Sequence, residues 1–207
     1  VIGTDIAAKA APNGYTILLA SATHGINPGL YRKLPYDTLK DFASISMLAD
    51  SPLIYVVPAA SAIGSIRDLV TTAKAQPGRI NFATSGIGSG GHLAIELLKR
   101  MAGMDLLHVP YKGAAPALTD LLAGRVDMYF ATVAGGIQHY KSGKLRVLGV
   151  SAKKRAAVLP EIPTLDEAGV PGYEIVSWFG IMAPAGTPRE IVNGMHAQIV
   201  KAVAQPD

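Results

Sequence analysis

Three short stretches of small residues constrain the fold of this chain most strongly. They are residues 83–92 (ATSGIGSGGH), 110–117 (PYKGAAPA) and 130–136 (FATVAGG), and each stands between an apolar strand-like run and a helix-like run. The helix-like runs close on a glycine, a basic residue and the next strand, as in LLAGRVDMYF and YKSGKLRVLGV. This alternation predicts right-handed βαβ units with a mainly parallel sheet flanked by helices, which is an α/β fold.

The same periodicities predict the individual elements. Strands are expected at residues 15–22, 45–58 (one or two segments, interrupted by DSP at 50–52), 79–84, 105–111, 125–131, 145–151 and 173–183. Helices are expected at residues 4–11, 65–75, 92–102, 116–123, 136–142 and 190–204. The stretch SATHGINPGLY is predicted to be a loop in which Asn27 and Pro28 start at most a helical turn.

Composition excludes several classes of protein. The 207 residues are 49% apolar, enough for one large domain or two small ones, and the net charge of +4 is too scattered to predict nucleic-acid binding. The absence of cysteine excludes disulfides and thiolate metal sites. The longest weakly charged stretch, residues 43–64, contains Asp50, Pro52 and Pro58, so no membrane insertion is expected. No signal peptide is visible in the chain.

The small-residue junctions predict a site for an anion. Ligands of parallel sheets sit beyond the carboxyl ends of the strands, where helix N-termini expose unpaired N–H groups. Hydroxyls of Thr84, Ser85, Ser89 and Thr132 accompany those amides and are predicted to converge with them on a carboxylate. The alternative is that the glycines serve only tight turns and close packing of helix on strand.

The sequence gives little evidence of a catalytic site. Gly86-x-Gly88-x-x-Gly91 matches the dinucleotide fingerprint, which leaves a nucleotide-cofactor enzyme as an alternative, but the acidic Asp105 begins the next strand and does not end it. The G-x-S-x-G pattern fails at Ser89, and the five histidines lack zinc-site spacing. No catalytic residue, metal site or cofactor is therefore predicted.

Several segments, in order, resemble one family. They are AAKAAPNGYTILLA, INPGLYRKLPYDTLKDF, FATSGIGSGGHLAIELLK, HVPYKGAAPALTDLLAGRVDMYF, KLRVLGVSAKKR with LPEIPTLDEAGVPGYE, and SWFGIMAPAGTP. Together they resemble the Bug-type periplasmic solute-binding proteins, the receptors of tripartite tricarboxylate transporters.

The resemblance implies a fold and a function. The fold is a two-lobed clamp of the type II periplasmic-binding-protein kind (a Venus flytrap), with residues 1–55 plus 177–207 in the first lobe and 56–176 in the second. The function is non-catalytic capture of a small carboxylate between the lobes, in the periplasm, for the membrane components of such a transporter. The implied ligand contacts are Thr23, His24, Ser85, Gly86, Gly88, Ser89, Gly113, Ala114, Ala115 and Thr132.

The chain also departs from the family pattern. Members of the family begin with a strand and a P-x-x-x-G-G-x-x-D loop and continue beyond the last helix, and neither part is present here. The resemblance therefore implies a first lobe lacking its N-terminal strand and loop and its C-terminal end. A truncated lobe that acts only through protein interaction is accordingly a further alternative.

Overall fold

The computed structural model describes residues 1–205. The helices of this part of the chain are α1 (Ile2–Ala8), α2 (Ala22–Leu30), α3 (Ile66–Ala75), α4 (Gly90–Ala102), α5 (Ala114–Leu122), α6 (Val133–Lys141) and α7 (Arg189–Val203). The strands are β1 (Leu18–Ser21), β2 (Phe42–Pro58), β3 (Asn81–Thr84), β4 (Leu107–Pro110), β5 (Met128–Thr132), β6 (Leu145–Val150) and β7 (Val176–Pro184). Among the described residues no helix is long and apolar enough to cross a membrane.

The chain divides into two compact units. Unit 1 is Val1–Asp50 with the described residues from Ser177 onwards, and unit 2 is Ser51–Val176. In unit 1, β1 pairs antiparallel with β7, from Leu18 opposite Met182 to Ser21 opposite Phe179. That these units are the two lobes of a clamp, with lobe boundaries at residues 55/56 and 176/177, stays a prediction.

Unit 2 is built on a mixed sheet in the order β6-β2-β5-β3-β4. Strand β3 pairs parallel with β4 and with β5, whereas β2 pairs antiparallel with both β5 and β6. Strands β3, β4, β5 and β6 therefore point in one direction, as the βαβ pattern predicts. The unpredicted feature is β2, which lies reversed between β5 and β6.

Both faces of this sheet are buried by helices. One apolar cluster joins Tyr55 and Phe82 to residues of α3 and α4, and the other joins Ile54 and Tyr129 to residues of α5. Helices on both faces explain why the strands read as nearly continuous apolar runs. The predicted α/β class with a sheet flanked by helices is confirmed.

Two local predictions are wrong. Residues 22–30 form helix α2 and not a loop, because Tyr36 holds two of its residues: the His24 ring stacks on the Tyr36 ring, and Asn27 Nδ2 donates to the Tyr36 hydroxyl at 3.0 Å. Residues 50–52 do not interrupt the second strand, since β2 runs without a break from Phe42 to Pro58. Tertiary contacts override the local signals in both places.

Candidate ligand-binding site

Three helices of unit 2 begin side by side at one edge of the sheet. Strands β3, β4 and β5 end at Thr84, Pro110 and Thr132, and α4, α5 and α6 begin within a few residues of those ends. Since β3 pairs with both other strands and neighbouring strands lie about 4.8 Å apart, the three helix N-termini occupy adjacent positions. The edge predicted from the small-residue junctions is therefore present.

Backbone contacts hold the three junctions together. The N–H of Gly113 donates to the Ser85 carbonyl at 3.1 Å, which ties the second junction to the glycine loop, residues 85–89. A Cβ at Gly91 would lie 3.2 Å from Cβ of Phe130, so the first turn of α4 packs directly against β5. Glycine is required there by close approach, which is one of the two roles the sequence left open.

Several loop amides are already occupied. The N–H of Gly86 donates to Oγ1 of Thr84 at 3.3 Å, that of Gly88 to Nδ1 of His92 at 3.2 Å, and that of Ser89 to the Gly86 carbonyl at 3.2 Å. Together with the N–H of Gly113, which bonds to Ser85, these amides stabilise the conformation of the loop.

The free donors are the first-turn amides of the three helices. Within residues 1–205 these amides make no hydrogen bond: Gly90, Gly91, Ala114, Ala115, Val133 and Ala134. Such groups carry the positive end of the helix dipole and bind anions.

Two hydroxyls sit at the same edge. Ser89 Oγ accepts from His92 N–H at 3.2 Å, and Thr132 Oγ1 accepts from Gly135 N–H at 3.1 Å, so each caps its helix and keeps its own hydrogen to donate. Thr84 is different, because it is fully buried and its Oγ1 lies 2.7 Å from His108 Nε2. The predicted convergence of the Thr84 hydroxyl on a ligand is therefore wrong.

The two first-lobe candidates lie in α2 of unit 1. Thr23 Oγ1 accepts from the Ser21 hydroxyl at 3.2 Å. His24 is buried, its Nε2 lies 3.1 Å from the Thr38 carbonyl, and its ring packs edge-on against Phe42. The ligand-contact role of both residues stays a prediction.

A buried pair of tyrosines behind the glycine loop was not predicted from the sequence. The Tyr173 hydroxyl donates to the Ala94 carbonyl in α4 at 2.7 Å, and the Tyr55 hydroxyl donates to the Tyr173 oxygen. Burial raises the pKa of both phenols, so they remain neutral donors. The pair fixes α4, and with it the loop, to β2 and to the segment before β7.

The described residues lack two arrangements that other kinds of site require. No group of three or more His, Asp or Glu side chains is placed to hold a metal ion in this part of the chain. Asp105 lies before β4, away from the strand end where a dinucleotide-binding fold needs its acidic residue.

The comparisons with known proteins agree with this geometry. The whole chain, residues 1–207, matches the family described as the tripartite tricarboxylate transporter family receptor. The chain belongs to this family. Protein BugT of Bordetella pertussis is 37% identical over 205 residues, which are 98% of this chain and 63% of BugT. The resemblance to Bug-type receptors is thereby confirmed, and the chain spans less than two thirds of the length of the first curated relatives it matches.

Solved structures show the same fold. R. palustris Rpa4515 with adipate is 36% identical with a TM-score of 0.93, over 99% of this chain and 69% of the other. MatC from Rhodopseudomonas palustris with bound malate is 30% identical with a TM-score of 0.90, over 99% of this chain and 70% of the other. Adipate and malate are both small dicarboxylates.

Proposed function

We propose that this chain is the ligand-holding part of a non-catalytic receptor for a small organic carboxylate. The observation that carries the proposal is the set of first-turn amides at the adjacent N-termini of α4, α5 and α6, which make no hydrogen bond among residues 1–205. An anion is the ligand that such donors select, because each N–H and each helix dipole favours negative charge.

A carboxylate suits these donors. The donors at these N-termini are main-chain amides and the hydroxyls of Ser89 and Thr132, so recognition rests on them. A hydrogen bond to a charged partner contributes about 1.5–3 kcal/mol. Rpa4515 and MatC, which share the fold, are described with adipate and malate.

The rest of the proposal follows from family membership. The receptor would act in the periplasm and deliver its ligand to the membrane components of a tripartite tricarboxylate transporter. Units 1 and 2 would be the two lobes, which close on the ligand by a hinge, and Thr23 and His24 would contribute from the first lobe.

A single-amide substitution tests the proposal. Val133 is the first residue of α6, where proline is favoured, and Thr132 before it has φ −64° and ψ 154°, a conformation that proline accepts in its predecessor. Val133→Pro therefore removes one N–H and leaves the helix intact. We expect it to weaken binding of adipate or malate by about 10- to 150-fold, measured by isothermal titration calorimetry.

The matched control is Val133→Ala, which shortens the side chain and keeps the amide. It should bind within about twofold of the unsubstituted protein, since no ligand donor is lost. Equal losses in the two variants would contradict amide recognition at α6. Stabilisation by a dinucleotide and by neither dicarboxylate in a thermal-shift assay would overturn the proposed function itself.

A further inference from the structure

Two histidine rings stack beneath the glycine loop. The rings of His92, in the first turn of α4, and His108, on β4, have centroids 4.2 Å apart and an interplanar angle of 16°. The other face of His108 stacks on Phe82 at 4.8 Å. Neither histidine belongs to the predicted ligand contacts.

Each ring holds the loop through one nitrogen. Nδ1 of His92 accepts the N–H of Gly88 at 3.2 Å, so this nitrogen carries no proton. Nε2 of His108 lies 2.7 Å from Oγ1 of Thr84, and that oxygen accepts the N–H of Gly86. The two glycines have φ of +76° (Gly88) and +145° (Gly86), values that residues other than glycine rarely adopt. The side chains of His92 and Thr84 therefore bond to a stretch of backbone with unusual torsions.

We infer that His92 and His108 are positioning residues that hold the glycine loop in its ligand-binding shape while both rings are neutral, and that protonation of His92 breaks this hold. A protonated imidazole has two N–H donors and no acceptor, so a proton on Nδ1 of His92 would face the N–H of Gly88. Two imidazolium rings at the stacking distance would also repel each other. Acidification therefore releases the loop. Where this concerns the ligand, it rests on the proposed function.

The surroundings favour the neutral rings. The charged groups acting on them are Glu96 and Lys99 of α4, which pair with each other at 3.0 Å. The neighbours from β3, namely Phe82 and Thr84, do not titrate in this range. Burial lowers the pKa of both histidines, and the charge of His92 lowers that of His108 further.

The sign of the pH effect follows from these directions. A histidine whose pKa is lowered in the folded protein takes up a proton more readily when it is unfolded or released. The histidines therefore hold the loop fully above about pH 6.5, the ordinary pKa of histidine. This restraint is lost progressively as the pH falls from there towards the lowered pKa of the folded protein.

Amide exchange of the loop tests the inference without any ligand. In ¹⁵N-labelled protein, the protection of the Gly86 and Gly88 amides, corrected for intrinsic exchange, should fall about tenfold or more between pH 7.5 and pH 5. In His92→Asn the amide oxygen replaces Nδ1 as acceptor and does not titrate, so the protection of Gly88 should lose most of its pH dependence. Exposed His196 supplies the control, because His196→Asn should keep the full dependence.

The outcomes separate the two proposals. Protection of Gly86 and Gly88 that is constant with pH, or a pH dependence that survives unchanged in His92→Asn, would overturn the histidine inference. Calorimetry with adipate and malate at pH 7.5 and pH 5.5 is the second measurement. Binding that weakens on acidification in the unsubstituted protein, and weakens less in His92→Asn, supports the histidine inference. Loop release by acid without binding at either pH would support the histidine inference and refute the proposed function.

Discussion

At the scale of single residues, Gly136 on α6 is the glycine of unit 2 with the least room for a side chain, because Ile54 on β2 lies against it. A Cβ at Gly136 would come within 2.6 Å of Cδ1 of Ile54, whose side chain is fully buried. We expect Gly136→Ala to lower the free energy of unfolding by about 1–3 kcal/mol, measured by urea denaturation, because the extra methyl overpacks the core. Ile54→Val removes the clashing methyl, so the double variant should recover stability relative to Gly136→Ala. Two additive losses would contradict this explanation.

Gly194 provides the control for that substitution. It lies inside helix α7, and a Cβ built there meets nothing within 4 Å. Gly194→Ala should therefore raise the free energy of unfolding by about 0.5–1 kcal/mol, since alanine loses less backbone entropy in a helix. Opposite signs for two helical glycines would show that the contact, and not helix propensity, decides the effect.

The residue scale also shows what the sequence alone predicts. Gly103 was expected to close α4, and it does so in the left-handed conformation at φ +63°, because that role depends only on local pattern. The constraint on Gly136 comes from Ile54, far away in the chain, and has no local signature. For the same reason the sequence indicated amide-rich junctions but not that Thr84 and His92 occupy the amides of Gly86 and Gly88.

At the scale of elements, Ser151 joins three segments of unit 2. Its fully buried side chain accepts from Leu53 N–H at 2.8 Å and donates to the Ile175 carbonyl at 2.6 Å. Its backbone N–H donates to the Leu53 carbonyl, and its own carbonyl accepts from Ile175 N–H, each at 2.9 Å. Leu53 and Ile175 lie within three residues of the two points at which the chain passes between units 1 and 2.

Removal of this hydroxyl should therefore be costly. Ser151→Ala leaves the buried N–H of Leu53 without its side-chain acceptor, so we expect the free energy of unfolding to fall by about 1–3 kcal/mol. Exposed Ser142, whose hydroxyl also donates to a backbone carbonyl, gives the control. Ser142→Ala should change the free energy of unfolding by less than about 0.5 kcal/mol. Urea denaturation measures both, and equal effects would show that the Ser151 bonds contribute no more than a surface contact.

Elements were predictable where their signal is local. The start of α3 is an example: a helix is predicted over residues 65–75, and the Ser65 side chain caps it by accepting from the Asp68 N–H. Helix α2 was missed, since its formation depends on contacts of His24 and Asn27 with Tyr36. The antiparallel insertion of β2 beside β5 and β6 was equally invisible, because strand order is decided by pairing and not by periodicity.

At the scale of the whole molecule, the two units differ in how much apolar surface they bury. Both large hydrophobic clusters consist of unit 2 residues, from Leu53 to Tyr173. In unit 1, helix α7 has no buried residue over its described length, and large side chains such as Leu19 of β1 are more than half exposed. Since buried apolar area supplies most of the stabilisation, unit 1 should be the less stable of the two.

Trp178, the only tryptophan of the chain, makes this difference measurable. It lies on β7 in the part assigned to unit 1, so its fluorescence reports that unit, whereas far-UV circular dichroism reports the helices of both. In urea we expect the fluorescence midpoint at a lower concentration than the dichroism midpoint, because unit 1 loses its structure while the sheet of unit 2 persists. Limited trypsin digestion should accordingly cut first at Lys9, Arg32 or Arg189 and leave a fragment that contains unit 2. Coincident transitions, with simultaneous cleavage in both units, would mean that the chain unfolds as a single cooperative body.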